Sequence, residues 1–122
     1  MIGSKASKVA IYVKQGSDWA AEFQIKDATG AVVALTGSSF SGQIRKTKST
    51  TVVAASFTFS VNTTTNTVQY SLARTVSSAM QAGETEVDPA SQYVYDIEWT
   101  KPSGMVDRIQ EGALVLSREV TR

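Results

Sequence analysis

The sequence predicts an all-β fold of antiparallel strands, packed as a sandwich or closed as a barrel. Three observations carry that expectation. Valine and isoleucine number 14 and 6 against only 4 leucines, and threonine adds 14 more. Such β-branched side chains suit a pleated surface and lose χ1 freedom in a helix. Apolar and polar residues alternate with a period of two through most of the chain. Turn-forming residues punctuate these runs about every ten positions, the rhythm of antiparallel sandwiches and barrels. Helical crossovers, which parallel sheets require, are missing.

The elements follow in order. Residues 1–7 are small and polar and read as a flexible arm. Lys8 to Lys14 alternates around Val9, Ile11 and Val13, and Gly16-Ser17 ends it. From Asp18 to Asp27, Trp19, Ala21, Phe23 and Ile25 share one face, as an inner strand face should. Asp27-Ala28-Thr29-Gly30 is a turn, with Gly30 free to take a positive φ. Ala31 to Leu35 is an apolar return strand, so 18–35 reads as a hairpin. Thr36-Gly37-Ser38 breaks the chain before Phe40, Gly42 and Ile44 alternate again. Lys46 to Thr50 is a polar turn. Val52 to Val61 is one strand with Ala55, Phe57, Phe59 and Val61 on one face. Asn62 to Asn66 is a loop, and Val68, Tyr70 and Leu72 mark the next strand.

Thr75 is placed to cap a short helix, Val76 to Gln81, ended by Gly83. Glu84 to Ala90 is an acidic loop. Tyr93, Tyr95, Ile97 and Trp99 form the strongest aromatic stripe, with Val94, Asp96 and Glu98 opposite. Lys101 to Gly104 is a turn, and Met105 to Val120 is the last strand. Its alternation slips phase between Ile109 and Leu114, which predicts a β-bulge at Gly112.

A chain of 122 residues fits one domain. It carries no cysteine and no histidine, which excludes disulfides, Cys/His zinc sites and imidazole acid–base chemistry. A net charge of +1 is far from that of a nucleic-acid binder. No apolar segment follows the first residues as a signal peptide would have it, and none reaches the ~18 residues a membrane span needs. The expectation is a protein of the cytoplasm that binds neither membrane nor nucleic acid.

Candidate chemistry is sparse. Ser4-Lys5 and Ser7-Lys8 are formal Ser–Lys pairs, but both fall in the arm, where nothing would lower a lysine pKa. Asp96 and Glu98 share a strand face, as a glycosidase pair would, yet read more simply as an outer face. Glu84, Glu86 and Asp88 fit no calcium loop. Arg45, Lys46 and Lys48 form a small basic patch without an aromatic platform. Tyr93, Tyr95 and Trp99 would stack on sugars if exposed, and fill a core if not. Asp96, if buried, needs a cation, and Arg45 and Arg108 are the candidates for a bidentate ion pair. No catalytic, cofactor-binding or metal-binding residues are expected.

Three segments carry a family resemblance. The first is Gly16-Ser17-Asp18-Trp19, through Phe23 and Ile25 to Asp27-Ala28-Thr29-Gly30 and Leu35-Thr36-Gly37. The second is Gly42-Gln43-Ile44-Arg45. The third is Tyr93-Val94-Tyr95-Asp96-Ile97-Glu98, then Gly104, Val106, Arg108, Ile109, Gly112 and Val120-Thr121-Arg122. Together they resemble short proteins and N-terminal domains of tailed phages and prophages, including immunoglobulin-like (Ig-like) modules similar to the N-terminal part of baseplate upper proteins. The resemblance spans 16–122. It implies an antiparallel Ig-like β-sandwich of seven to nine strands with one short helix near 75–81. The arm is then 1–7 and the single domain 8–122.

The function it implies is that of a non-enzymatic structural or adaptor subunit of the virion, in tail, baseplate or head surface, assembled in the host cytoplasm. Other virion proteins and copies of itself, as trimer or hexamer, would be its partners. Capsid decoration and carbohydrate binding are the alternatives.

Overall fold

The computed structural model of the chain describes residues 7–47, 53–80 and 90–117. Its strands are β1 (Ser7–Lys8), β2 (Ile11–Lys14), β3 (Trp19–Phe23), β4 (Ser39–Arg45), β5 (Ala55–Ser56), β6 (Thr58–Asn62), β7 (Thr67–Leu72), β8 (Ala90–Thr100) and β9 (Val106–Ser117). One helix, α1 (Arg74–Ala79), lies between β7 and β8. The strands form two sheets. The larger runs β1-β9-β8-β4-β5, with β2 also on β9, and the smaller runs β3-β7-β6. Pairing β9-β8-β4 in one sheet and β3-β7-β6 in the other is the strand scheme of an Ig-like sandwich. The fold is therefore the all-β sandwich expected.

The core lies between the sheets. Leu35, Ile44, Leu72, Ile97, Leu114 and Leu116 are fully buried. Each such aliphatic side chain contributes roughly 1.5–3 kcal/mol over its exposed state. The aromatic residues fill the centre. Trp19, Phe23, Phe57 and Phe59 pack around the Tyr70 ring at centroid distances of 5.3, 5.6, 5.4 and 6.1 Å. Gly42, opposite Ile97, makes room for them: a Cβ there would stand 2.9 Å from Phe57 and 3.0 Å from Phe59.

Several expected elements take a different form. β1 and β2 run parallel, not antiparallel, to β9. Ser7 belongs to β1 and not to an arm, and residues 1–6 lie outside the described residues. The 18–35 hairpin is not formed as two strands. β3 ends at Phe23 and pairs with β7, while the return is held by one bridge, Lys26 with Val32. The Asp27–Gly30 turn itself is present, its Asp27 carboxylate accepting from Thr29 N and Ala31 N. Leu35 turns inward, fully buried, and Ser38 N bonds its carbonyl, so the chain bends toward β4 and forms no ladder.

The single strand expected over 52–61 is two strands in different sheets. Buried Phe57 marks the corner: its N–H donates to Gly42 O in the larger sheet, and Thr58 begins the ladder with β7 in the smaller. The helix starts at Arg74, so Thr75 is inside it and does not cap it. Asp18 takes that role from across the fold, its carboxylate accepting from Arg74 N at 2.7 Å. A six-residue helix is marginal alone. Fully buried Ser77 holds it, its Oγ donating to Ser17 O at 2.9 Å and accepting from Gly16 N at 3.1 Å. Gly83 lies outside the described residues.

The bulge falls at Ile109, not at Gly112. Ile97 pairs with Gln110 and Glu98 with Arg108, so Ile109 is the extra residue on β9. Gly112 serves a different need. It stands where β1 and β2 are interrupted, and a Cβ there would collide with the Val9 carbonyl oxygen. Gly112→Ala is therefore expected to lower the unfolding free energy by about 1–3 kcal/mol, as overpacking does. Denaturant titration measures this, and an unchanged midpoint would mean that the first strands do not lean on Gly112.

Candidate functional site

The bulge at Ile109 decides which side chains meet. Residues 108 and 111 are three apart, so in a regular strand they would face opposite ways. The extra residue returns Arg108 to the outer face with Glu111, while Gln110 faces into the sandwich in phase with Leu114 and Leu116. Inside, Gln110 Nε2 donates to Tyr70 Oη at 2.9 Å and to Tyr95 Oη at 3.0 Å. Tyr95 Oη in turn donates to Val9 O at 2.6 Å. This chain of hydrogen bonds joins both sheets and the first strands. The Val9 carbonyl can reach inward because Gly112 leaves the space open. Burial, opposed by the Gln110 hydrogen bond and aided by Tyr70, pushes the Tyr95 phenol up to about 12. Near neutral pH the Tyr95 hydroxyl therefore keeps its proton and acts as a donor.

Outside, a charged row crosses the larger sheet. Arg108 Nε lies 3.6 Å from Asp96 Oδ2, and Arg108 Nη1 lies 3.5 Å from Glu111 Oε1. Lys8 Nζ adds a contact of 3.6 Å to Glu111 Oε2. Asp96 is not buried: its side chain keeps 37% of its surface exposed. The expected trio lines one shallow hollow of about 300 Å³, and within it Arg108 makes the ion pair with Asp96. Arg108 bridges two carboxylates instead of gripping one in bidentate fashion. Arg45 stands opposite Val94 and donates from Nη2 to Gln43 Oε1 at 2.6 Å. Exposed contacts of this length are worth about 0–1 kcal/mol each, which makes the row a surface feature and not a keystone.

The other candidates disperse. Ser7 and Lys8 are exposed on β1, with Lys8 on Glu111. Lys46 turns back over the Tyr93 ring at 4.6 Å, which opens up the basic patch. Ser4-Lys5, Lys48, Glu84, Glu86 and Asp88 lie outside the described residues. Tyr93 and Tyr95 are buried in the core and only Trp99 is half-buried, with Lys101 Nζ over its ring at 5.0 Å. No stacking platform for sugars is left on that strand. Among the described residues, no group of three acidic side chains gathers to hold a metal ion, and no helix is long and apolar enough to cross a membrane.

One sizeable groove, about 590 Å³, opens between the end of β3 and the β8–β9 hairpin. Phe23, Ile25, Val33, Trp99 and Ile109 line it, and Lys26, Lys101, Asp107 and Arg108 surround them. The Trp99 indole N–H is closed to solvent and has no partner among the described residues. The groove therefore offers an apolar wall rimmed by mixed charges, with the Ser7 hydroxyl and the Asp27 carboxylate also on its lining. Sequence reasoning missed Gln110 and the Tyr70 hydroxyl. The phase slip after Ile109 was the available signal, since moving the bulge to Ile109 makes Gln110 an inward polar residue in need of partners.

Tyr95→Phe removes the donor to Val9 O and is expected to cost about 1–3 kcal/mol near pH 8. Its pH dependence follows from the raised phenol. An unfolded tyrosine ionises near pH ~10. Between there and about 12 the folded chain keeps a proton that the unfolded chain has released, so the stabilisation fades as pH rises. The stability gap between the unmodified chain and Tyr95→Phe should narrow across that window. A gap that stays constant would contradict the buried phenol.

No protein-family model matches the chain, and no curated protein matches it.

Proposed function

We propose that the chain is a non-enzymatic structural or adaptor subunit of a tailed-phage virion, in tail, baseplate or head surface. One observation carries the reading most directly. Of the residues that give the family resemblance its specificity, Tyr95 to Glu98, Gly104, Arg108, Ile109 and Gly112 lie in the β8–β9 hairpin at the centre of the larger sheet, and Val120-Thr121-Arg122 lie outside the described residues. The hairpin residues are framework: Tyr95 and Ile97 are core, and Gly112 makes room for Val9. The likeness thus lies in how the sandwich is built and not in a reactive constellation. Exposed Tyr12, Met105 and Val106, beside the shallow ion pairs of the outer face, give the sandwich apolar and polar surface for docking against neighbours. Its partners are copies of itself and other virion proteins, and capsid decoration is one form of the same role.

Fractionation of phage particles from a host that expresses the gene tests this. The chain should sediment with purified virions in a fixed copy number, a multiple of three or six. Its complete recovery in the soluble fraction, free of particles, would overturn the proposal.

A further inference from the structure

Among the described residues, the sheet edges are formed by β1 with β2 and by β5 in the larger sheet, and by β3 and β6 in the smaller. An open edge presents free N–H and C=O groups, and proteins that must avoid pairing protect it with charge, proline, bulges or shortness. β1 and β2 carry Lys8 and Lys14, β3 carries Glu22, and β5 has two residues. β6 has none of these protections. Its five residues, Thr58-Phe59-Ser60-Val61-Asn62, are uncharged, and its register with β7 is unbroken. Phe59 and Val61 point inward yet are only half-buried, while Thr58, Ser60 and Asn62 are exposed.

We propose that β6 is a self-association edge, to which a second copy adds its own β6 antiparallel about a two-fold axis at Ser60. The strand is symmetric in character about that residue. Ser60 meets Ser60 of the second copy, Phe59 meets Val61, and Thr58 meets Asn62. Aromatic with β-branched is a favourable cross-strand pair, and pairing covers the apolar surface left at the edge. Charge is what singles out self-pairing here. At a two-fold axis an ionic side chain meets its own like charge, and one residue away the like charges are diagonal neighbours, which is unfavourable. β6 brings no such charge, whereas β1, β2 and β3 each would. The result is a continuous six-stranded sheet, β3-β7-β6 followed by its symmetry copy. This contact does not depend on where the protein resides.

Light scattering across a concentration series tests it, on the unmodified chain, Ser60→Lys and Glu22→Lys. The unmodified chain should reach twice the single-chain mass. Ser60→Lys should weaken the dimer about tenfold or more, because two lysines then face each other at the axis. Glu22→Lys alters charge on the opposite edge of the same sheet and should dimerise as the unmodified chain does. Hydrogen exchange on the unmodified chain decides the matter if Ser60→Lys fails to fold. β6 amides should gain protection with concentration while β3 amides do not. A single-chain mass throughout the series, or an oligomer indifferent to Ser60→Lys, would overturn the proposal.

Discussion

The fold turns on a polar residue in an apolar place. Gln110 points into the sandwich, half-buried at the wall of the groove, where an unsatisfied amide costs about 1–3 kcal/mol. Its amide N–H groups are used on two tyrosine hydroxyls, one from each sheet, and the second tyrosine passes the bond on to Val9. Hydrophobic contact alone is non-directional and lets two sheets slide. A chain of hydrogen bonds with fixed donors and acceptors sets one registry between them. The aromatic rings then pack around Tyr70 in the positions that registry allows.

Two local departures from ideal strand geometry surround that interaction. Gln110 faces inward in phase with Leu114 and Leu116, and the bulge at Ile109 turns Arg108 out beside Asp96 and Glu111 instead of in behind it. Gly112, two residues on, gives the Val9 carbonyl its approach, and the first strands are interrupted where that carbonyl leaves the ladder for Tyr95. Their parallel pairing on β9 follows the chain direction: the N-terminus enters along the last strand and crosses to β3 through the Gly16-Ser17 turn, on which α1 is pinned.

Much of this was legible in the residues. The period-two stripes through Trp19–Phe23 and Tyr93–Trp99 identify strands because their inner faces are apolar and their outer faces polar. The phase slip in the last strand was also visible, but glycine drew the bulge to 112, since glycine marks bulges and close approaches alike. What stayed hidden depended on distant partners. A β-branched run such as Val52–Val61 carries no sign of a corner at Phe57, because the corner exists only where both sheets meet. Thr75 looked like a cap on local grounds, whereas Asp18 supplies the acceptor from 56 residues away. Arg45 and Arg108 are equal candidates for Asp96 even in register, opposite Val94 and Glu98 respectively, and only the side-chain contacts separate them: Arg108 reaches Asp96 while Arg45 donates to Gln43.

The two sheets are held in one registry by hydrogen bonds as well as by packing. That view stands or falls with the hydrogen-bonded link between the sheets. A double-mutant cycle on unfolding free energy, with Tyr70→Phe, Tyr95→Phe and both together, tests the link directly. The two hydroxyls share one amide, so the account predicts that their effects are coupled by at least about 0.5 kcal/mol. Strictly additive losses would show that the two tyrosines act independently and that packing alone holds the sheets in register.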